Sequence, residues 1–424
     1  MKFIYQLFIS LYPLIARVIS TRNEKAKLWV NGRDNIFDKL STAFAKNTDK
    51  IIWIHCASLG EFEQGRPIIE ELKSKSPEIK VLLTFFSPSG YEVRKNYELA
   101  DWIFYLPIDS FSNATKFYDI VNPSIVIFVK YEFWYYYLQQ AKRRNIPLFL
   151  VSGIFRHNQP FFKWYGGFNR QMLSYFSAFF LQNEESVSLL KSIGIDQNVI
   201  KSGDTRFDRV IAISKQFTPI ASIESFIGDS KQVIIAGSTW LEDDEILYHY
   251  TKTHPQVKFI IAPHDIQHSR IEECLKLYPN AITYSHWNTG KRQPESGIRS
   301  TENILIIDNI GMLSKLYNYA TICFVGGAFG EDGVHNVLEA AVYGKPVIYG
   351  PEFSKYFEAI GLIDANGAFS VENTLELEKT FNQLFSDKKQ YDTTCLNAQK
   401  YVFEHAGATS VITRYIYEKR LLTN

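Results

Sequence analysis

Residues 324–353 read FVGGAFGEDGVHNVLEAAVYGKPVIYGPEF, and the order of apolar and small residues in this stretch decides the fold. An apolar strand runs into Gly326-Gly327, and Gly330 and Gly333 keep the loop that follows thin. His335-Asn336 then precede a helix expected over Val337–Tyr343, closed by Gly344. Gly344-Lys345-Pro346-Val347 leads into a second strand, Val347–Tyr349. A glycine-rich loop feeding a helix start presents free backbone N–H groups and the positive end of the helix dipole, which together suit a phosphate. Asn336 and Glu339 lie close on one face of that start, where Glu339 can accept hydrogen bonds from ribose hydroxyls. Loop glycines alone also serve plain turn geometry, so the weight rests on the whole string.

The same rhythm extends both ways. Upstream of it in the second half, Gln232–Ala236, Lys258–Ala262, Ile304–Ile307 and Ile322–Val325 read as strands separated by helices. In the first half, Ile51–Cys56, Val81–Phe85, Ser124–Val129, Pro147–Val151, Ala178–Gln182 and Val199–Lys201 do the same, with a helix expected over Pro67–Lys75. These runs are continuously apolar rather than alternating, so each sheet is covered on both faces and is parallel. The chain has 424 residues, beyond the size at which one core keeps growing. The fold class is therefore α/β, with two Rossmann-like, doubly wound parallel sheets and ligands expected at their strand ends, in a cleft between them. The expected division is a hydrophobic segment over 1–25, a first domain over 26–212, a Ser/Pro/Gly/Asp-rich linker over 213–230 and a second domain over 231–400. A last helix, Asp392 to about Leu422, is expected to cross back to the first domain, with 401–424 forming its end.

Composition narrows the class. Hydrophobic residues make up 46% and charged residues 21%, which describes a globular chain and excludes a disordered one. With a formal net charge of +1, bulk electrostatics name no polyanionic partner, and no nucleic acid is expected. Cys56, Cys274, Cys323 and Cys395 stand far apart, so buried thiols in a reducing compartment are favoured over disulfides or a zinc site. The opening MKFIYQLFISLYPLIARVIS is mostly apolar, is interrupted by Pro13, and is followed by no signal-type cleavage site. Arg17, Arg22, Lys25, Lys27 and Arg33 follow it, a pattern of a helix lying at a membrane surface with its cations at anionic headgroups. Spanning is the lesser reading, and a helix packed on the protein's own domain is the plainer one.

Two further strings carry chemistry. In IHCASLGEFEQGRP, residues 54–67, a buried strand ends at Cys56 and Glu61 sits at or near a helix start. A carboxylate there can take a proton from an attacking hydroxyl, although spacing alone favours an ordinary first-turn acid. In AGSTWLEDDE, residues 236–245, Ser238 and Thr239 are the ligand candidates, and Glu242, Asp243 and Asp244 read as acids matched to the helix dipole. His264, Asp265 and His268 show helix-like ligand spacing without a third ligand nearby, and Asp101 lies in no acidic pair. No metal and no cofactor is expected.

Together these strings resemble the 3-deoxy-D-manno-octulosonic acid (Kdo) transferases. The family's S-x-G-E turn is matched by Ser58-Leu59-Gly60-Glu61, and its E-x-E-[LF]-W by Glu132-Phe133-Trp134, with Lys130 in place of the first glutamate. Its G-x-x-[KR]-[FY]-D is matched by Gly203 to Asp208, including Arg206, and its G-S-T-[WH] by Gly237 to Trp240. His264 and Asp265 follow Pro263 where the family has arginine and histidine. D-x-x-G-x-L runs from Asp308 through Gly311 to Leu313, and G-G-x5-G-x-H-N-x-L-E is complete from Gly326 to Glu339.

The resemblance implies a GT-B type inverting glycosyltransferase that moves Kdo from CMP-Kdo to a lipid A precursor of the lipid IVA kind, in lipopolysaccharide biosynthesis. It implies Glu61 as general base, overturning the reading from spacing alone. Acceptor-side candidates are Ser58, Gly60, Glu132 and Arg206. Donor-side candidates are Ser238, Thr239, Pro263, His264, Gly311, Gly326, Gly327, His335, Asn336 and Glu339. The implied place is the cytoplasmic face of a Gram-negative inner membrane. Competing readings are another GT-B enzyme, such as a UDP-sugar transferase or 2-epimerase, and a non-catalytic nucleotide-sugar binder at a membrane.

Overall fold

Strands apolar on both faces can only form where helices cover both sides of a sheet. The computed structural model, which describes residues 1–289, 302–331, 333–419 and 421, builds two such sheets. One compact unit comprises Met1–Arg209 together with the chain from Ala406 onward, and the other comprises Val210–His405.

The first sheet contains β1 (Ile51–Cys56), β2 (Lys80–Phe85), β3 (Trp102–Tyr105), β4 (Ile125–Val129), β5 (Leu148–Gly153), β6 (Ala178–Leu181) and β7 (Val199–Lys201). Their spatial order is β3-β2-β1-β4-β5-β6-β7, with every pairing parallel. The second holds β8 (Val233–Thr239), β9 (Lys258–Pro263), β10 (Ala281–Thr283), β11 (Ile304–Ile306), β12 (Ile322–Val325), β13 (Val347–Tyr349) and β14 (Ala368–Ser370). Their order is β10-β11-β9-β8-β12-β13-β14, again all parallel. Trp53 of β1, fully buried, packs edge-on against Phe128 of β4 and against Phe117 and Tyr137 of the covering helices.

Several expected elements take a different form. The helix after β1 runs over Leu59–Lys75, so Pro67 lies inside it rather than opening it. The stretch 213–230 carries the helix Ala221–Ile227, whose Ile223 and Phe226 are buried in the second unit, with Phe226 against Trp287. The single last helix is two, Lys388–Glu404 and Ala408–Glu418, broken at Gly407 with φ +112°. The second of them packs in the first unit: Asp208 accepts hydrogen bonds from the Gly407 and Thr409 amides at 2.6 and 2.7 Å. Its expected end near Leu422 lies outside the described residues.

The N-terminal helix, Lys2–Ile19, rests on the first unit by one narrow stripe of Tyr5, Ile9, Tyr12, Pro13 and Ala16, at helical spacing. Tyr5 donates to the buried Asp109, which also accepts the Tyr136 and Tyr137 amides at 3.0 Å each. Burial pushes the Asp109 carboxyl up to about 6 despite those donors. The rest of the helix, including Phe3, Ile4, Leu7, Leu11, Leu14 and Val18, is exposed. Arg33 departs from the expected headgroup role. Its guanidinium donates to the Trp29, Phe86 and Leu106 carbonyls and lies over the Trp29 ring at 4.0 Å. Burial holds its pKa down to about 9.

Candidate active site

Each sheet winds outward in both directions from a pair of neighbouring strands, β1 and β4 in the first unit, β8 and β12 in the second. Ligands of such sheets sit outside the carboxyl ends of those strands.

At the end of β1, Ser58 leaves the strand in extended backbone and the helix Leu59–Lys75 begins, with Glu61 as its third residue. The Ser58 hydroxyl donates to the Glu61 carboxylate, fixing its direction at the positive end of a long helix. Gly60 is exposed, and a Cβ there would meet only Ser58 Oγ, at 3.8 Å. Nothing in the protein's own packing demands that glycine, so it leaves open space beside the carboxylate. Gly65, by contrast, lets the helix approach the sheet, since a Cβ would sit 3.1 Å from Cys56 Sγ.

At the end of β4, Lys130 takes φ +65°, a left-handed backbone costly for a side-chain-bearing residue. Glu132 follows it, 3.3 Å from His55 Nε2 and accepting the Trp134 indole N–H at 2.5 Å. Fully buried His55 is held in turn by Thr84 Oγ1 at 2.9 Å. Glu132 is thus oriented from beneath by a strand residue and from the side by an indole. Arg206 is not a lone cation: Asp204 binds its Nε at 2.9 Å and its terminal nitrogen at 2.7 Å. Burial works to raise the Asp204 carboxyl, but the Arg206 charge and hydrogen bonds hold it below the usual range. Burial likewise raises the Tyr131 hydroxyl, while Arg156 and Arg206 pull it back and Glu61 pushes it further up. Arg156, Arg206 and Glu61 therefore each stand within electrostatic reach of Tyr131, and Arg156 had no sequence signal beyond its charge.

In the second unit, β8 ends in Ser238, at φ +56°, and Thr239, fully buried. Gly326 packs directly on this turn, where a Cβ would lie 2.6 Å from the Ser238 carbonyl oxygen. Gly327 needs its own freedom, with φ +94°. Of the acids read from sequence as matched to the helix dipole, Glu242 is exposed, whereas Asp243 and Asp244 are buried. Asp243 is fully buried and accepts the Trp240 and Gly327 amides, both at 2.8 Å. Burial lifts its carboxyl to about 6. Asp244, also buried, is bound by Arg270, and the Tyr278 hydroxyl donates to its carbonyl at 3.0 Å.

His264 follows Pro263 at the end of β9, its amide donating to the Thr239 carbonyl at 3.0 Å. Its ring stacks on His335 at 4.3 Å with 12° between planes, and packs tilted against Trp240 at 4.7 Å. Asn336 Nδ2 donates to Glu339 at 3.0 Å, while its Oδ1 takes the Leu338 amide at 3.3 Å. The helix expected over Val337–Tyr343 is one turn only, Leu338–Ala341, because tight turns at Tyr343 and Gly344 close it early. Its dipole is correspondingly small, and the loop amides carry the anion argument instead. Gly311 lies after β11 with φ +93° and open space where a side chain would be. The structure thus gathers Ser238, Thr239, Pro263, His264, Gly326, Gly327 and His335 around the ends of β8, β9 and β12. Of the spaced histidines, His268 is exposed beside Glu272 at 3.6 Å.

Two Rossmann-like units, each with polar groups collected at its strand ends, define the GT-B type of fold. Two solved structures share this fold over most of the chain. A UDP-GlcNAc 2-epimerase from Neisseria meningitidis superposes with TM-score 0.61 at 18% identity, over 87% of this chain and 100% of that one. A putative UDP-N-acetylglucosamine 2-epimerase from Listeria monocytogenes gives 0.61 at 13% identity, over 89% and 98%. Sequence comparison adds a likeness that the fold alone does not give. Residues 34–209 match the family model described as 3-deoxy-D-manno-octulosonic-acid transferase. A 3-deoxy-D-manno-octulosonic acid transferase of Aquifex aeolicus is 29% identical over 81% of this chain and 89% of its own length. One of Rickettsia felis is 26% identical over 86% and 77%. A bifunctional glycosyltransferase/methyltransferase of Fusobacterium nucleatum is 28% identical over 89% of this chain, which spans only 59% of that protein. Over these stretches the chain is similar to the Kdo transferases.

Proposed function

We propose that the chain transfers Kdo from CMP-Kdo to a sugar hydroxyl of a lipid A precursor at the cytoplasmic face of the inner membrane, in lipopolysaccharide biosynthesis. The observation that carries this is Glu61, held by Ser58 at the end of β1, whose neighbouring strand β4 leads to Glu132. The names of the Aquifex and Rickettsia relatives support the donor sugar. The acceptor hydroxyl gives its proton to Glu61 as its oxygen bonds to the anomeric carbon of Kdo. The bond from that carbon to the phosphate oxygen breaks on the opposite face, and CMP leaves as the phosphate monoester. Inversion follows, through an oxocarbenium-like transition state of the kind common to glycosyl transfer.

The donor side is assigned to the second unit. Loop amides around Gly326-Gly327 and the residues Ser238, Thr239, His264, His335 and Asn336 take the phosphate and carboxylate, and Glu339 the ribose. No metal or cofactor enters this scheme. The membrane assignment rests on the N-terminal helix. It is 18 residues long with mean hydropathy 1.3, yet it touches its own domain along one stripe from Tyr5 to Ala16. A helix so attached lies in the interface with its outward apolar side in lipid, and the exposed Arg17, Arg22, Lys25 and Lys27 meet anionic headgroups. The 2-epimerases share the fold, and fold alone does not carry their reaction to this chain.

The test is incubation of detergent-solubilised protein with CMP-Kdo and a tetraacylated glucosamine disaccharide phosphate, followed by mass analysis of the lipid. A gain of one or more Kdo units is expected. No gain with well-folded protein across several lipid acceptors contradicts the reading.

A further inference from the structure

Beside the N-terminal helix lies a cavity of about 370 Å³, at the lower end of the range occupied by small-molecule sites, roughly 300–1,000 Å³. Tyr12, Ile15 and Ile19 of that helix form one wall, and Ala26 and Trp29 of the helix Glu24–Asn31 form the other. Phe86, just past β2, contributes to the lining. Tyr12, Trp29 and Phe86 pack on one another with centroids 5.1, 5.8 and 5.8 Å apart, a rigid aromatic base. We propose that this groove seats one acyl chain of the lipid acceptor, and so sets the acceptor's position relative to Glu132.

Three observations commit the groove to an acyl chain. Ile15 and Ile19 line it and also belong to the exposed apolar side of the N-terminal helix, so a chain passes from bilayer to groove along continuous apolar surface. Lys25, which also lines the cavity, supplies the cation that an anionic lipid headgroup needs. Phe86 connects groove to site: it packs on Trp134 at 4.6 Å, and the Trp134 indole holds Glu132 at 2.5 Å. A chain in the groove therefore lies one aromatic pair away from the β4 strand end, and the headgroup of the same molecule extends toward Glu132. A soluble sugar acceptor would have no use for such a connection.

The inference rests on the lipid-acceptor reading, and its test separates the two. Wild type and Ala26→Trp, which fills the groove, are compared on the tetraacylated acceptor and on the same disaccharide phosphate fully deacylated. The proposal expects Ala26→Trp to raise KM for the acylated acceptor about tenfold or more, as expected for displacing several buried methylenes. Transfer to the deacylated acceptor changes less than about twofold, within the range of a neutral surface substitution. Equal effects on both acceptors, or none on either, overturn the groove while leaving the transferase intact. Wild type inactive on both acceptors overturns the transferase reading itself. Should Ala26→Trp fail to fold, wild type is photolabelled with an acceptor carrying a diazirine at an acyl terminus. Adducts within residues 12–29 or at Phe86 support the groove. Adducts confined to the outward positions Phe3, Ile4, Leu7 and Leu11 place the chain in the bilayer and overturn it.

Discussion

Asp243 accepts the backbone amide of Gly327 at 2.8 Å, so the first turn of the helix Leu241–Thr253 and the glycine loop after β12 are tied by one buried carboxylate. Burial raises that carboxyl to about 6, so the folded protein holds the proton more tightly than the unfolded chain does. The stability this contributes is complete below about pH 4 and is lost as pH rises through about 6. Asp243→Asn removes the titration while keeping an acceptor oxygen. The stability of wild type relative to Asp243→Asn should fall between pH 4 and pH 7 by an amount on the order of 3 kcal/mol, read from denaturant midpoints. A difference that stays flat with pH would contradict a buried, proton-holding Asp243.

Asp208 is the last residue of the Gly203–Asp208 string and does structural work. It accepts the Gly407 amide, the Thr409 amide and the Thr409 hydroxyl, at 2.6, 2.7 and 2.7 Å. Asp208→Ala strips the start of the helix Ala408–Glu418 of all three bonds and should cost about 1–2 kcal/mol. Hydrogen exchange should show faster exchange in residues 408–418 with the β1–β4 sheet unchanged. Uniform acceleration throughout, or none, would contradict a local cap.

Gly326 and Gly60 make a matched pair of tests. A Cβ on Gly326 would sit 2.6 Å from the Ser238 carbonyl oxygen and 2.7 Å from Thr239 Cα, both backbone atoms that cannot swing aside. Gly326→Ala should therefore destabilise by about 1–3 kcal/mol and weaken CMP binding, measured by thermal shift and calorimetry. A Cβ on Gly60 has nothing closer than 3.8 Å, so Gly60→Ala should leave stability within about 0.5 kcal/mol. Any loss of transfer in Gly60→Ala then reports on the acceptor, not the fold.

The central strands were legible because burial on both faces writes an unbroken apolar run: β1, β4 and β12 are wholly buried, and β8 and β9 at all but one residue each. The edge strands β3, β10 and β14 were not. Ala281–Thr283 and Ala368–Ser370 are short and half exposed, with no run long enough to stand out, and Trp102–Tyr105 is half exposed at three of its four residues. Glu61 was legible as lying near a helix start, but Gly60, Gly65 and Pro67 lower helix propensity and shortened the expected helix to Pro67–Lys75, whereas close packing of Gly65 on Cys56 favours its full length. The candidate site divides the same way. Ser58, Glu61 and the glycines of the nucleotide string stand at fixed offsets from a strand and can be read locally. The burial of Asp243 and Asp244 cannot, because it depends on Gly327 and Arg270, which the fold brings in from distant sequence. Arg33 looked like one more surface cation for the same reason, since its carbonyl partners at Phe86 and Leu106 lie far along the chain.

The most direct test of the account is the rate of Kdo transfer by Glu61→Gln beside wild type. Both proteins are assayed on CMP-Kdo and the tetraacylated acceptor by product mass, with thermal midpoint and CMP affinity measured in parallel. Glutamine keeps the shape and can still accept the Ser58 hydrogen bond, but it cannot take the acceptor's proton. The account predicts loss of transfer by roughly 100-fold or more, with the midpoint and CMP affinity of wild type. Transfer by Glu61→Gln within about tenfold of wild type would contradict the assignment of Glu61 as the base.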